Sequence, residues 1–267
     1  MIGPIRIMGI LNVTPDSFSD GGQFDSEASA CSQVEALVAS GADIIDVGGE
    51  STRPFAEPVS LQEELNRVLP AIRSIRSRHA IPISIDTTKA EVARQALEAG
   101  ADIINDISAI RKDSDMLKLV QKTAVPVIIM HMRGTPGDMQ VKPEYKDVVA
   151  EILDFFQERL SWLENNGVDL KRITLDPGIG FGKTLSHNLS IIKHLAEFKK
   201  FGCPVLLGHS RKRFIEDITG LEVSERDLPT AVVSALAVDS GVDIIRVHDV
   251  AATRHALQMA MAVQGAN

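Results

Sequence analysis

The chain is poor in the residues that mark secreted, membrane-spanning or nucleic-acid-binding proteins. Its 267 residues hold two cysteines, Cys31 and Cys203, too few for a disulfide framework. Cys203, beside an apolar run at 204–208, is expected to be a buried thiol. No apolar run approaches the roughly 18 residues that a spanning helix needs. The chain enters an apolar stretch at Ile5 without a charged-then-apolar leader, so a cytoplasmic location is expected. Basic residues are outnumbered, 28 Lys and Arg against 36 Asp and Glu, for a net charge of −8. That balance argues against nucleic acid or an anionic membrane as partner, and any anionic substrate must be met by local cations. Aromatics are only 4% of residues, so the core must be built from Ile, Leu, Val and Ala, as parallel sheets require. The seven histidines are scattered, with no His-Glu-x-x-His and no paired cysteines, which disfavours a zinc site.

What the chain has is a repeat. Ser40-Gly41-Ala42-Asp43-Ile44-Ile45-Asp46-Val47, Ala99-Gly100-Ala101-Asp102-Ile103-Ile104-Asn105-Asp106 and Ser240-Gly241-Val242-Asp243-Ile244-Ile245-Arg246-Val247 share one pattern. Each reads as a helix end closed by Gly, a tight turn and a buried strand. Apolar runs at Ile5–Leu11, Asp43–Val47, Pro82–Asp86, Asp102–Asp106, Pro126–Met130, Arg172–Asp176, Pro204–Gly208 and Asp243–Val247 predict eight strands. Amphipathic patterns at 26–40, 61–79, 88–99, 113–122, 144–166, 187–201, 228–240 and 250–264 predict the helices between them. Eight even βα units without a fingerprint Gly loop at the first turn favour an α/β fold of the single (β/α)8 TIM-barrel type over a doubly wound open sheet. No stretch reads as a linker, so residues 1–267 are expected to form one domain.

In such barrels the site is made by strand C-termini and the loops that follow them. Those positions here are Asn12, Asp46, Glu50, Asp86, Asn105, Asp106, His131, Asp176, His209, Arg211, Lys212, Arg246 and His248. Any one could be a cap or a satisfied buried group; Asp86, for instance, precedes Thr87-Thr88 as a helix N-cap would. Thirteen together are hard to explain as caps. Two long loops, expected to be mobile, follow strands 1 and 2. The first, Asn12 to Gly22, carries Phe18 amid Pro, Gly, Ser and Asp, an aromatic suited to close over a ligand. The second, Gly48-Gly49-Glu50-Ser51-Thr52-Arg53-Pro54, presents Arg53 beside a fixed φ, suited to a carboxylate or phosphate.

Asp176-Pro177-Gly178-Ile179-Gly180-Phe181-Gly182-Lys183-Thr184 is not a nucleotide phosphate loop, because Pro177 stands where that motif needs Gly. Its glycines instead suit close backbone approach to a flat ligand, with Phe181 against it. Gly208-His209-Ser210-Arg211-Lys212 and Arg246-Val247-His248 end strands seven and eight, where barrels often bind phosphate, and their cations predict an anion site. Asn12 and ligand phosphates could hold a hydrated Mg²⁺, which takes few protein ligands.

Together these motifs closely resemble the dihydropteroate synthase family over the whole chain. The matching segments are Met8 to Gly22, Gly48 to Pro54, Ile85-Asp86-Thr87, Asn105 to Ser108, Met130-His131-Met132, Asp176 to Lys183, Ser210-Arg211-Lys212 and Arg246-Val247-His248, in family order. The resemblance implies a transferase of folate biosynthesis and a sulfonamide target. It joins 6-hydroxymethyl-7,8-dihydropterin diphosphate to 4-aminobenzoate, giving 7,8-dihydropteroate and diphosphate. It assigns the pterin to Asp86, Asn105, Asp176 and Lys212, and the diphosphate to Asn12 with Mg²⁺, Thr52, Arg246 and His248. The aminobenzoate pocket falls to Phe18, Arg53, Pro54, Phe181 and Lys212. The catalytic set is then Asp86, Asp176, Lys212, Arg246 and His248, with no evident general base for the weakly nucleophilic aniline, so a dissociative mechanism is expected. Two positions depart from the family pattern: Phe55 follows Pro54 in place of Gly, and Arg213 follows Lys212 where many relatives carry Ser.

Two alternatives use the same barrel. A pterin-dependent (methyltetrahydrofolate) methyltransferase domain would need neither Arg53 nor the diphosphate cations. A catalytically inactive pterin-binding barrel would not need an intact site. The helices at 228–240 and 250–264 are apolar on more than one face, so a homodimer through these last two helices is expected.

Overall fold

The computed structural model describes residues 5–13, 23–51, 57–134, 139 and 143–266, with the backbone alone for 23–29. Its strands are β1 Arg6–Asn12, β2 Ile44–Gly48, β3 Ile83–Asp86, β4 Ile103–Asp106, β5 Val127–Met130, β6 Ile173–Asp176, β7 Leu206–Leu207 and β8 Ile244–Val247. All pair in parallel in the order β6-β5-β4-β3-β2-β1-β8-β7. A bridge between Leu175 and Val205 joins the two ends and closes the barrel. The α-helices among the described residues are α1 Gln23–Ala39, α2 Leu61–Arg78, α3 Ala90–Glu98, α4 Ser114–Lys122, α5 Val148–Asn165, α6 Leu185–Lys193, α7 Arg213–Thr219, α8 Asp227–Leu236 and α9 Val250–Gln264.

The expected elements differ from these in a few places, each with a local cause. The seventh strand, expected over Pro204–Gly208, pairs regularly only at Leu206–Leu207, because Pro204 has no N–H for the ladder. The helix expected at 187–201 splits into α6 and a 3-10 helix at Leu195–Phe201. That expected at 144–166 starts at Val148, where Asp147 caps it by accepting the Val149 and Ala150 N–H groups, each at 3.0 Å. The seven residues of α7, closed by left-handed Gly220, are too few for their periodicity to announce a helix.

Side chains alternate across each strand. Met8, Ile44, Ile103, Ile128, Leu206 and Ile244 form their own cluster inside the barrel. Their neighbours Ile7, Ile45, Ile104, Val127, Leu207 and Ile245 pack outward in the larger cluster that also takes in the helices. Two or four residues past the inner set, the same alternation turns Asn12, Asp46, Asn105, Gly208 and Arg246 into the mouth. Asn12, Gly48, Asp86 and Asn105 share one rung of the ladder. Asp106, one residue further, faces outward. It caps its own loop, accepting the Ser108 N–H at 2.7 Å and the Ile110 N–H at 3.0 Å, next to the left-handed Ala109 and Ile110.

At the opposite end the repeat has a shared purpose. Asp43, Asp102 and Asp243 each accept the first amide of the neighbouring strand region, from Ile7 at 2.8 Å, Ile83 at 2.8 Å and Val205 at 2.6 Å. Each is also paired with a helix cation: Arg254 at 3.9 Å, Arg76 at 2.5 Å and Lys199 at 2.5 Å. These are clasps between β2 and β1, β4 and β3, and β8 and β7. At β6 the corresponding residue is Arg172, which donates instead to the carbonyls of Thr123, Val125 and Val120 at 2.8, 3.0 and 3.1 Å, at the C-terminus of α4.

Candidate active site

Burial and charge concentrate at the mouth. Arg246 of β8 donates through Nε to Asp46 Oδ2 at 2.6 Å and through Nη2 to Asp86 Oδ2 at 2.8 Å, spanning β8, β2 and β3. Asn105 Nδ2 lies 3.3 Å from Asp46 Oδ2, a long bond on the same carboxylate. The N-cap reading of Asp86 does not hold: α3 begins after Lys89, and the Asp86 carboxylate is committed to Arg246.

Asp176 at the end of β6 is buried and accepts the Gly178 N–H at 2.7 Å. Gly178 has φ +72°, and a Cβ there would stand 2.0 Å from the His131 carbonyl oxygen, so only glycine lets this loop lie against the β5 loop. Gly208 has no side chain to fill the gap between Asp176 Oδ2 and Arg246 Cδ, which would lie 3.5 and 3.9 Å from its Cβ. Lys212 reaches in from the β7 loop, donates to the Ile179 carbonyl and sits 4.5 Å from the centre of the Phe181 ring. Phe181 packs with Ile107, Met130, Met132 and Met139, giving the mouth one apolar wall.

The electrostatics tie these groups into one site. Burial raises Asp86 to about 7, with Asp46, Glu64 and Asp106 pushing the same way and Arg246 opposing. Burial also raises Asp176, against the pull of Lys212, the Gly178 N–H, Arg246 and Lys183. It lowers Lys212 to about 8, although Asp176 works to keep the ammonium charged. His131, pushed down to about 2 by burial and then by Lys183, Arg111 and Arg133, is a neutral ring. It accepts no charge; its Nδ1 lies 3.1 Å from the buried Lys183 Nζ, which also donates to the Phe181 and His131 carbonyls at 3.0 and 3.3 Å. Lys183 thus fastens the β6 loop to the β5 loop.

Of the residues expected at the mouth, Asn12, Asp86, Asn105, Asp176, Phe181, Lys212, Arg246 and His248 end or follow their strands as anticipated. Ser210 Oγ lies 2.9 Å from His248 Nδ1 and orients that ring. Phe18, Thr52, Arg53 and Pro54, with Phe55, lie outside the described residues. Arg211 does not join the anion cluster: it forms a two-pronged pair with Asp227, at 2.6 and 2.7 Å. His209, lowered to about 4 by burial, lies 2.9 Å from the Thr230 carbonyl and faces α8. Arg213 points to solvent, its side chain 84% exposed. Sequence reasoning marks Asp46 as a polar strand end without giving it the Arg246 partnership, since a cross-barrel contact leaves no local pattern. It gives no role to Glu64, Thr87 or Lys89, although Thr87 stands in the matching segment Ile85-Asp86-Thr87; a signal for Glu64 is its place beside Leu65 and Val68 on the buried stripe of α2.

Residues 8–248 match the family model described as pterin binding enzyme. A dihydropteroate synthase of Synechocystis sp. is 47% identical over 258 residues, covering 96% of this chain and 89% of its own. A solved Xanthomonas albilineans dihydropteroate synthase with 4-aminobenzoic acid is 45% identical with a TM-score of 0.93, covering all of this chain and 95% of its own. The same organism's enzyme in complex with 7,8-dihydropteroate is 42% identical with a TM-score of 0.90, covering all of this chain and 96% of its own.

Proposed function

The chain belongs to the dihydropteroate synthase family of pterin-binding enzymes, and on that premise we propose how its barrel mouth performs the family's reaction. The enzyme condenses 6-hydroxymethyl-7,8-dihydropterin diphosphate with 4-aminobenzoate, giving 7,8-dihydropteroate and diphosphate in folate biosynthesis. One observation carries the residue assignments: Asp86, Asp176, Lys212 and Arg246 come from β3, β6, the β7 loop and β8 and interact as one electrostatic cluster.

A pterin edge presents an N–H and an amino group side by side, and the Asp176 carboxylate is suited to accept both. Gly208 leaves room beside it for a flat ring, Lys212 donates to the ring's acceptors, and Phe181 supplies an apolar wall. Asp86 and Asn105 complete the pterin contacts. The diphosphate falls to Asn12, Thr52, Arg246 and His248, the last oriented by Ser210. A Mg²⁺ fits this end of the site through oxygen donors. Asn12 Oδ1 lies at the top of β1, and no group of three or more His, Cys, Asp and Glu among the described residues could cage an ion, so water and diphosphate would supply the other ligands. When bound, it would neutralise charge on the diphosphate.

The chemistry that follows is charge separation. Arg246 and His248 stabilise departing diphosphate, while the Asp86 and Asp176 carboxylates stabilise positive charge spreading over the pterin methylene. Bond breaking therefore runs ahead of attack by the aniline nitrogen. The departing diphosphate helps complete the aminobenzoate pocket of Phe18, Arg53, Pro54, Phe181 and Lys212. We expect turnover with both substrates, and tighter 4-aminobenzoate binding when diphosphate and Mg²⁺ are present. If calorimetry finds equal affinity with and without them, the ordered scheme is wrong.

The assembly supported best is a homodimer through α8 and α9, whose outer faces carry exposed apolar side chains. No helix among the described residues is long and apolar enough to cross a membrane.

A further inference from the structure

The loop that delivers Lys212 holds a conformation that few side chains adopt. Arg211, one residue earlier, has φ +56°; among the described non-glycine residues only Ala109 and Ile110 are also left-handed. All three of its polar parts are tied to the start of α8. The Arg211 N–H donates to Thr230 Oγ1 at 3.1 Å, and its carbonyl accepts from Arg226 Nη1 at 3.1 Å. Its guanidinium grips both oxygens of Asp227, the first residue of α8, at 2.6 and 2.7 Å. Arg226 is buried and itself anchored. It donates through Nη2 to Glu216 Oε2 of α7 at 2.5 Å and through Nε to the Leu221 carbonyl at 2.9 Å. Across the turn, the Lys212 N–H reaches back to the His209 carbonyl at 3.3 Å. Ser210 is fixed separately, its Oγ accepting the His248 N–H at 3.2 Å.

Stability does not explain this choice of residue. A glycine would take the same φ without strain, and an ion pair whose side chains stay 32% and 25% exposed contributes little. What an arginine supplies is a planar fork whose two prongs fix direction as well as distance. Lys212 follows at once with extended backbone, φ −71° and ψ 157°. Its side chain passes Gly180, where a Cβ would stand 3.0 Å from Lys212 Cδ, to reach the Ile179 carbonyl and the Phe181 ring. A long side chain led through so narrow a gap depends on where its Cα starts. We propose that Arg211 is a positioning residue for Lys212: its clamp on Asp227, backed by Arg226, aims the Lys212 side chain at the pterin. This rests on the proposed function, which gives Lys212 to the pterin ring.

The test is calorimetric binding to the full chain of 6-hydroxymethyl-7,8-dihydropterin, which lacks the diphosphate, and separately of diphosphate with Mg²⁺. Arg211→Gly removes the fork but keeps the left-handed turn, and Asp227→Asn removes the charge but keeps the shape. Each is expected to weaken pterin binding at least fivefold and to leave diphosphate affinity within twofold, because Ser210 holds His248 independently. In a Lys212→Ala background the same two changes should alter pterin affinity less than twofold, since the side chain they aim is gone. Should Asp227→Asn disturb α8, Arg211→Gly carries the test. Wild-type pterin affinity in Arg211→Gly, equal losses for both ligands, or an undiminished loss in the Lys212→Ala background would each overturn the inference. A wild-type chain that binds no pterin would instead overturn the functional reading on which it stands.

Discussion

Asp86 is poised between its protonated and charged forms. Burial and three neighbouring carboxylates raise it to about 7, and the 2.8 Å bond from Arg246 is the counterweight. A pterin donor needs the ionised form, so binding must draw the proton off. The prediction is that pterin affinity falls as pH drops from 8 to 6, by up to about tenfold for a group titrating near 7, and that Asp86→Asn flattens this dependence. Calorimetry at pH 6, 7 and 8 checks it; the same slope in wild type and variant would clear Asp86 of responsibility. The sign for stability is the reverse of that for a salt-bridged carboxylate with a lowered value. With the folded value above the ordinary 3.8, the native state holds the extra proton between about 4 and 7. This group's contribution to stability is therefore lost as pH rises through that window. Arg246 is held by the same carboxylate, so Arg246→Ala cannot weaken diphosphate binding alone; it also removes the cation bonded to Asp86.

At the scale of the element, the clasp at the foot of the barrel explains why the Gly-x-Asp-Ile-Ile pattern recurs. Gly100 turns the chain at φ +113°, its carbonyl accepts from Arg76 at 2.8 Å, and Asp102 holds both Arg76 and the Ile83 amide. The Asp102 side chain is half exposed, so its ion pair contributes little; the amide acceptor matters more. Asp102→Ala leaves the buried Ile83 N–H without its acceptor and should cost about 1–3 kcal/mol. By urea titration the midpoint should fall with the slope unchanged. Activity should hold, because the clasp lies at the end of the barrel away from the mouth. A loss under about 0.5 kcal/mol would mean water replaces the carboxylate.

The same scale shows what the sequence makes legible. Strands and most helices could be read because apolar periodicity is local, and the mouth residues because strand ends are countable. Three things could not be read. Asp106 looks like its neighbour Asn105 but faces the other side of the strand, where it caps a loop. Arg211 looks like a member of the anion cluster, yet Asp227 takes its guanidinium sixteen residues later in the chain. The Glu50–Lys89–Glu64 path, with Lys89 Nζ 2.5 Å from each carboxylate, joins three elements, and no spacing rule connects residues brought together by barrel closure.

For the whole molecule, the barrel accounts for one apolar face of each outer helix and leaves a second on the last two. On α8, Leu228, Val232 and Leu236 recur every four residues and are 74%, 51% and 70% exposed. On α9, Met259 and Val263 are 66% and 71% exposed, with Met261 beside them. The two helices pack against each other, so these side chains form one ridge rather than scattered singles. A twofold partner presenting the same ridge would cover it, the commonest solution for a self-complementary patch. Light scattering at micromolar concentration should then give twice the 28.9 kDa of one chain. The double variant Leu228→Glu with Leu236→Glu should shift the mass toward the monomer. Pterin binding should survive, because one chain alone supplies Asp86, Asn105, Asp176 and Lys212 to its own mouth. A wild-type mass of one chain would show that the ridge serves some other contact. A dimer unmoved by the double variant would place the interface elsewhere on the barrel.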